Sequence, residues 1–183
     1  MALKLSEDVI NQIKDFPKYY SKLTTEQISL IDELIPNEEL RERYKKHGLC
    51  KECSQPNTGQ SNGYVWCQSC NSKHFQQDFD KWTSGNKEID EFIQKFQLNA
   101  TRHEEVLEWI PYEKFSNIEY LAKGGFGTVH KAFWIDGFIE NWNIDQNKWN
   151  REYTGGYTGY IVLKCLNDSQ NLTTDFLQEV CSL

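Results

Sequence analysis

The spacing of apolar residues divides the chain into a helical first half and a strand-rich second half. Through residue 98, apolar positions recur every three or four residues, which is the period of an amphipathic helix. From Phe115 onward they recur at every second residue, which is the period of a strand with one buried face. The expected fold class is therefore α+β, with a helical N-terminal module followed by a small antiparallel sheet.

Three short amphipathic helices are predicted within residues 1–48. Their predicted caps are Ser6, Thr24 and Asn37. The third helix should end at Gly48, directly after the basic cluster 45–47. That cluster suits the negative end of a helix dipole, and an anion or RNA contact is the alternative. We expect His47 to be a surface residue and not a metal ligand.

Four of the six cysteines form two CxxC pairs with thirteen residues between them. The pairs are Cys50 with Cys53 and Cys67 with Cys70. Cysteines spaced in this way can present both sulfurs to one ion, and two pairs complete a tetrahedral thiolate site for Zn²⁺. The spacing predicts a zinc ribbon or knuckle. Its four ligands leave no open position on the metal, so the metal is expected to be structural. Two disulfides or a redox pair are the alternatives. Cys165 and Cys181 show no pairing pattern, and Cys165 is expected to be a small apolar core residue.

Two further helices are predicted after the cysteines, one capped by Ser72 and the next by Asn86. Each carries aromatic residues on one face, a spacing more typical of a core than of a ligand site. These helices should pack on the ribbon and on the N-terminal helices as one module. The predicted division is a helical segment 1–48, a zinc-binding module with flanking helices 49–98, a linker 99–107 and a strand-rich part 108–183.

Three glycines stand within four positions at Gly124, Gly125 and Gly127, between predicted strands 118–122 and 128–134. Such a loop can cradle phosphates with its backbone N–H groups, and an ordinary hairpin turn is the alternative. Farther along, a third predicted strand, 157–164, ends in Lys164, and Glu179 lies in a helical pattern. The connection 136–159 is unusually long, and a connection of that length without its own structure is either functional or disordered.

These residues resemble the small lobe of a protein kinase. The resemblance implies that 121–129 is the glycine-rich loop over the ATP phosphates, that Lys164 is the strand lysine bound to those phosphates, and that Glu179 is its partner. The nucleotide contacts that it implies are Leu121, Ala122, Gly124, Gly125, Phe126, Gly127, Val129, Val162 and Lys164. Ala122 replaces the family's first loop glycine and Val162 replaces a small alanine, so the nucleotide pocket should be tighter or blocked.

The family's His-Arg-Asp and Asp-Phe-Gly motifs do not occur in the sequence. They supply the catalytic base and the Mg²⁺ ligands, so the chain by itself is expected to be inactive and to bind ATP weakly or not at all. The cysteine-rich head, the lead-in 108–111 (Glu-Trp-Ile-Pro) and 124–129 together also resemble kinase-like proteins of arbuscular mycorrhizal fungi. That resemblance implies the N-terminal part of a protein kinase; a non-catalytic zinc-ribbon interaction module with a pseudokinase remnant is the alternative.

The formal net charge of −7 disfavours binding to nucleic acids and anionic membranes, and so argues against a zinc-dependent nucleic-acid binder. No apolar run approaches the roughly 18–20 residues that span a bilayer, and the N-terminus lacks a signal-peptide core. We therefore expect an intracellular, reducing location, which favours a metal over disulfides. Protein partners are expected.

Overall fold

The computed structural model describes residues 4–17, 20–61, 63–125, 127–152 and 159–167. Within these ranges the fold is α+β, as predicted, with five α-helices and seven strands in small antiparallel sheets. The helices are α1 Glu7–Ile13, α2 Thr25–Leu34, α3 Glu38–His47, α4 Gln68–Gln76 and α5 Lys87–Asn99. The strands are β1 Gly59–Ser61, β2 Tyr64–Trp66, β3 Phe115–Gly124, β4 Gly127–Trp134, β5 Phe138–Asn143, β6 Lys148–Glu152 and β7 Tyr160–Leu166.

Helices α1, α2 and α3 begin at the predicted caps, because each cap side chain accepts a hydrogen bond from the first turn. Ser6 accepts from the amide of Val9, Asn37 accepts from Leu40, and Thr24 forms the full reciprocal capping box. Gly48 ends α3 with φ 67°, a left-handed conformation that favours glycine. The three helices enclose one apolar core, formed by Leu5, Ile13, Ile31, Ile35, Leu40 and Tyr44.

Two residues of the basic cluster at the end of α3, Lys45 and His47, pack against other elements, and Lys46 between them is exposed. Lys45 forms an ion pair with Asp32 of α2 at 2.6 Å, and its side chain is only 16% exposed. The expectation of a surface His47 was wrong, because this residue is 8% exposed. Its carbonyl accepts a hydrogen bond from the buried amide of Asn57, which ties the end of α3 to the loop before β1. Lys45 therefore joins two helices.

The ribbon consists of the β1–β2 hairpin and α4. The predicted start of this helix at Ser72 was wrong, since α4 begins at Gln68 with Cys67 as its N-cap. The second CxxC pair therefore spans the helix start. Helix α5 begins as predicted at Asn86, which accepts hydrogen bonds from two first-turn amides. Residues 99–107, assigned to a linker, contain the buried Ala100 and His103.

Strands β3, β4 and β7 form one antiparallel sheet with β4 in the centre. The glycine stretch lies at the tip of the β3–β4 hairpin, where Gly124 pairs with Gly127. The connection 136–159 has structure of its own, because residues 138–152 form the antiparallel β5–β6 hairpin. Trp142 and Trp149 pair across its two strands, and such aromatic pairs stabilise a hairpin.

The β5–β6 hairpin packs on the ribbon. Trp149 stacks on Phe75 of α4 at 4.4 Å between ring centroids and on Trp66 of β2 at 5.9 Å. The Trp66 indole donates a hydrogen bond to the carbonyl oxygen of Ala100 at 2.8 Å. This aromatic cluster joins the helical first half of the chain to the strand-rich second half. Among the described residues, no helix is both long and apolar enough to cross a membrane.

Candidate functional sites

Two short turns bring the four cysteines of the CxxC pairs together. In the first turn the amide of Ser54 donates to the carbonyl of Cys50, and Ser54 takes a left-handed φ of 55°. In the second, the carbonyl of Cys67 accepts from the amide of Asn71, so the first turn of α4 carries Cys70. The predicted ligands thus come from one loop and one helix start.

The four sulfur atoms lie within 4.8 Å of one another. The Sγ atoms of Cys50 and Cys70 are 3.9 Å apart, and those of Cys53 and Cys67 are 3.7 Å apart. A tetrahedral zinc site with bonds of about 2.3 Å places its sulfurs about 3.8 Å apart, whereas a disulfide requires about 2.0 Å. The cluster therefore fits a zinc ion and could hold a metal ion of this kind.

Burial prevents four free thiolates from coexisting at this site. It raises the pKa of the Cys70 thiol, while hydrogen bonding with Cys50 raises the pKa of Cys67. The hydrogen bonds from Cys50 and Cys67 lower the pKa of the Cys53 thiol. Further thiolates need a compensating cation, which is the electrostatic reason that this group suits Zn²⁺.

A second set of contacts connects the first cysteine turn to the β5–β6 hairpin. The amide of Glu52 lies 3.4 Å from Cys50 Sγ, and its carboxylate lies 2.8 Å from His74 Nε2. The His74 ring stacks on Trp142 with 3.8 Å between centroids and 11° between planes. The sequence analysis did not identify Glu52, His74 or Trp142; the only local signal is that His74 lies one helical turn after Cys70.

The predicted nucleotide contacts lie partly on one face of the β3–β4–β7 sheet. Val129 pairs with Lys164 and with Ala122, and Val162 pairs with Lys131. Directly paired residues in antiparallel strands project from the same face. Lys164 is exposed, and Val162 is 59% exposed. Leu121 is also exposed, beside a register shift in β3. Phe126 and Glu179 lie outside the described residues, so the predicted Lys164–Glu179 pair stays a prediction.

The glycines of the hairpin tip have different surroundings. A Cβ added at Gly127 would overlap the carbonyl oxygen of Cys165 on β7, so close strand packing requires this glycine. In the part of the chain that the structure describes, no atom lies within 4 Å of a Cβ built at Gly125, and the nearest atom at Gly124 is 4.0 Å away. Space beside these two glycines is what a ligand at the loop would need, but an ordinary tight hairpin also leaves it open.

Cys165 does not lie in the core, and that expectation was wrong. Its side chain is exposed and its sulfur lies 3.7 Å from Nδ1 of His130, on the face opposite Lys164. Lys164 and Cys165 are successive residues of β7, so their side chains project from opposite faces of the sheet, and both are exposed. Cys181 lies outside the described residues.

The lead-in before the sheet is anchored by Glu108. Its carboxylate binds Arg151 of β6 at 2.6 Å and accepts the amide of Ile139 on β5 at 3.1 Å. Burial raises the pKa of this carboxyl group, and the Arg151 guanidinium opposes the shift. Glu108 therefore fixes the β5–β6 hairpin to the lead-in segment, a role that its sequence position did not reveal.

A carboxyl pair on the hairpin predicts a pH dependence of stability. Burial and then the adjacent Glu152 raise the pKa of Glu140 to about 7, although a hydrogen bond with Tyr64 opposes the shift. An acid whose pKa is higher in the folded state binds more protons when folded. The stability from this group is therefore present at low pH and is lost as pH rises from about 4.5 to about 7.

We expect Glu140→Gln to remove this loss. Urea unfolding at pH 5 and pH 8 measures it, and the free energy of unfolding of the wild type should fall more across this range than that of the variant. Burial lowers the pKa of His47, so this residue makes the free energy of unfolding rise with pH. It does so equally in the wild type and in the variant. Equal pH slopes in the two proteins would contradict the role of Glu140.

Comparison with known proteins gives no further guide to these sites. No protein-family model, no curated protein and no solved structure matches the chain. The function must therefore be argued from the two sites themselves.

Proposed function

We propose that the four-cysteine cluster holds one structural Zn²⁺ and that this metal organises residues 49–76 as a rigid module for protein contacts. The observation that carries the proposal is the sulfur cluster, with all four Sγ atoms within 4.8 Å. Four thiolates fill the coordination shell, so the metal supplies folding free energy and not a reactive water. The ribbon needs this contribution, because β1 and β2 have only three residues each.

Metal content tests this proposal directly. Protein purified without added metal should contain about one zinc per chain, and 4-(2-pyridylazo)resorcinol should report its release when all thiols are modified. Cys165→Ser, which changes an exposed thiol outside the cluster, should leave the zinc content unchanged. Protein that holds no zinc, yet protects residues 49–76 from hydrogen exchange in the presence of a chelator, would contradict the assignment.

We propose, second, that the β3–β4–β7 sheet is a kinase-like nucleotide-binding surface. One observation favours it: Ala122, Val129 and Val162 share the sheet face from which Lys164 projects. An apolar strip beside a lysine suits a nucleotide, because the strip can contact the adenine base while the lysine binds the phosphates. Lys131 projects from the same face, where its ammonium group lies 4.1 Å from the centre of the Tyr160 ring. Lys164 pairs with Val129 and therefore lies nearer the glycine tip than Lys131 does. Phosphoryl transfer to a protein hydroxyl is the activity that this family resemblance implies.

Lys164→Met should weaken nucleotide binding at least tenfold, because the substitution removes the cation beside the phosphates. Fluorescence of the trinitrophenyl analogue of ATP, with displacement by MgATP, measures the affinity. Lys148→Met is the matched control, since Lys148 is also an exposed strand lysine but lies on β6. If Lys164→Met and wild type bind the analogue equally, or if neither binds it, the sheet does not have this function.

A further inference from the structure

The four cysteines of the cluster differ in their access to solvent. Cys50, Cys67 and Cys70 are 8%, 6% and 3% exposed. Cys53 is only half-buried, because it follows the exposed residues 51–52 of the first cysteine turn. A small oxidant dissolved in water therefore reaches the sulfur of Cys53 more readily than the other three.

Access decides which sulfur reacts, because metal binding gives all four the same chemical form. A cysteine binds zinc as the deprotonated thiolate, and the thiolate is also the form that attacks oxidants. Among thiolates, susceptibility to oxidation follows exposure. This step rests on the proposed function, since it needs the metal-bound cluster. Cys53 is then the cysteine that an oxidant modifies first.

Cys67 is placed to react with an oxidised Cys53. The Sγ atoms of these two residues lie 3.7 Å apart, which is van der Waals contact between sulfurs. Cys53 belongs to the first cysteine turn, and Cys67 is the N-cap of α4. A bond between them therefore crosses from one turn to the other and closes neither CxxC pair. The buried pair of Cys50 and Cys70, 3.9 Å apart, is the competing arrangement.

We propose that the cluster is a peroxide-sensitive switch, in which Cys53 is oxidised first and then forms a disulfide with Cys67. The Cys53 thiolate attacks one oxygen of hydrogen peroxide, so that an S–O bond forms, the O–O bond breaks and hydroxide leaves. The Cys67 thiolate then attacks the sulfur of this sulfenic acid, so that an S–S bond forms, the S–O bond breaks and a second hydroxide leaves. Two protons from solvent convert the hydroxides to water, and two electrons pass from the sulfurs to the peroxide.

The disulfide removes two of the four ligands of the cluster. The two that remain, Cys50 and Cys70, do not fill a tetrahedral shell, so the zinc ion is released. The new bond holds the first cysteine turn to the start of α4 in place of the metal. A thiol reductant restores both ligands, so the switch is reversible. Oxidation thus controls whether residues 49–76 are organised by zinc.

Peroxide treatment followed by disulfide mapping of the wild type tests the proposal. Zinc release is followed with 4-(2-pyridylazo)resorcinol, and the remaining thiols are blocked with N-ethylmaleimide. Trypsin cleaves after Lys51 and chymotrypsin after Trp66, which puts Cys50, Cys53 and Cys67 on three different peptides. The first disulfide to form should join the peptides of Cys53 and Cys67, and it should appear together with the released zinc. Fragmentation of the joined peptides in the mass spectrometer distinguishes position 67 from position 70.

A variant that keeps the metal but lacks the exposed thiolate gives a second measurement. Cys53→His should still bind zinc, because three cysteines and one histidine form a structural zinc site. Peroxide should release its zinc at least tenfold more slowly than from the wild type. Cys50→His is the matched control, since it makes the same change in the same CxxC pair and keeps both Cys53 and Cys67. Its zinc should be released as fast as in the wild type.

Zinc content before treatment separates this proposal from the proposed function. Untreated protein without zinc contradicts the proposed function and the switch together. Protein that holds one zinc per chain overturns the switch alone in any of three cases: peroxide releases no zinc, the first disulfide is a pair other than Cys53–Cys67, or zinc-loaded Cys53→His and Cys50→His release the metal at equal rates. The disulfide map of the wild type decides the matter even if neither variant holds zinc.

Discussion

Cys67→Ser is expected to release the metal and to unfold the ribbon. Cys67 is 6% exposed, supplies one of the four sulfurs, and forms the N-cap of α4. Serine is a poor zinc ligand, so the substitution breaks the metal site; because serine is a good N-cap and Cys67 makes no side-chain capping bond, any loss of α4 reports the lost metal and not a lost cap. Structural zinc contributes folding free energy on the order of 10 kcal/mol, which the small core of the ribbon cannot replace.

The measurements are zinc content and hydrogen exchange across residues 49–76. Zinc content and protection from hydrogen exchange should both be lost in Cys67→Ser, and both should be preserved in Cys165→Ser. Zinc removal should also loosen the β5–β6 hairpin, because Glu52 and His74 connect the first cysteine turn to Trp142. A Cys67→Ser protein that retains stoichiometric zinc and normal protection would exclude the cluster as a four-ligand site.

Trp149→Ala should separate the hairpin from the ribbon. Its indole ring stacks on Phe75 and Trp66 and meets Trp142 edge to face at 5.0 Å. Truncation of a packed aromatic residue costs about 3–5 kcal/mol, and Trp149 is only partly buried, so we expect about 3 kcal/mol. The substitution should weaken the contact between the two halves of the chain. Residues 138–152 and α4 should therefore both lose protection from hydrogen exchange.

Urea unfolding monitored by near-ultraviolet circular dichroism gives the free energy change. Trp109→Ala is the control, because Trp109 is 39% exposed in the lead-in and should change stability by less than about 1 kcal/mol. Equal losses in the two variants would mean that the aromatic cluster does not hold the halves together. Zinc content should stay at one ion per chain in Trp149→Ala, which distinguishes this effect from damage to the metal site.

Much of the helical half could be predicted because its signals are local. A cap acts on amides two or three positions away, so Ser6, Thr24, Asn37 and Asn86 identify helix starts without knowledge of the fold. The same holds for the end of α3 at Gly48. Prediction failed at Ser72, because the cysteine turn moves the start of α4 forward to Gln68 and overrides the capping preference of serine.

The strand-rich half was predicted less completely. The alternation of apolar residues predicted the three strands of one sheet. The third was predicted to end at Lys164, whereas β7 continues to Leu166. The β5–β6 hairpin went unrecognised, because its tryptophans bury their rings against α4, a partner that alternation within a short segment does not reveal. The nucleotide role of Gly124, Lys164 and their neighbours stays a prediction.

The sequence alone determined the α+β class, the helix starts and the four cysteines that could share a metal, because each depends on residues near one another in the chain or on the fixed chemistry of thiols. Only the tertiary structure revealed the contact of Glu52 with His74 and the stacking of His74 on Trp142. These features join residues that are far apart in sequence. Their positions depend on how the hairpin packs against the ribbon, and that packing is decided by the summed burial of the aromatic cluster and not by any local pattern.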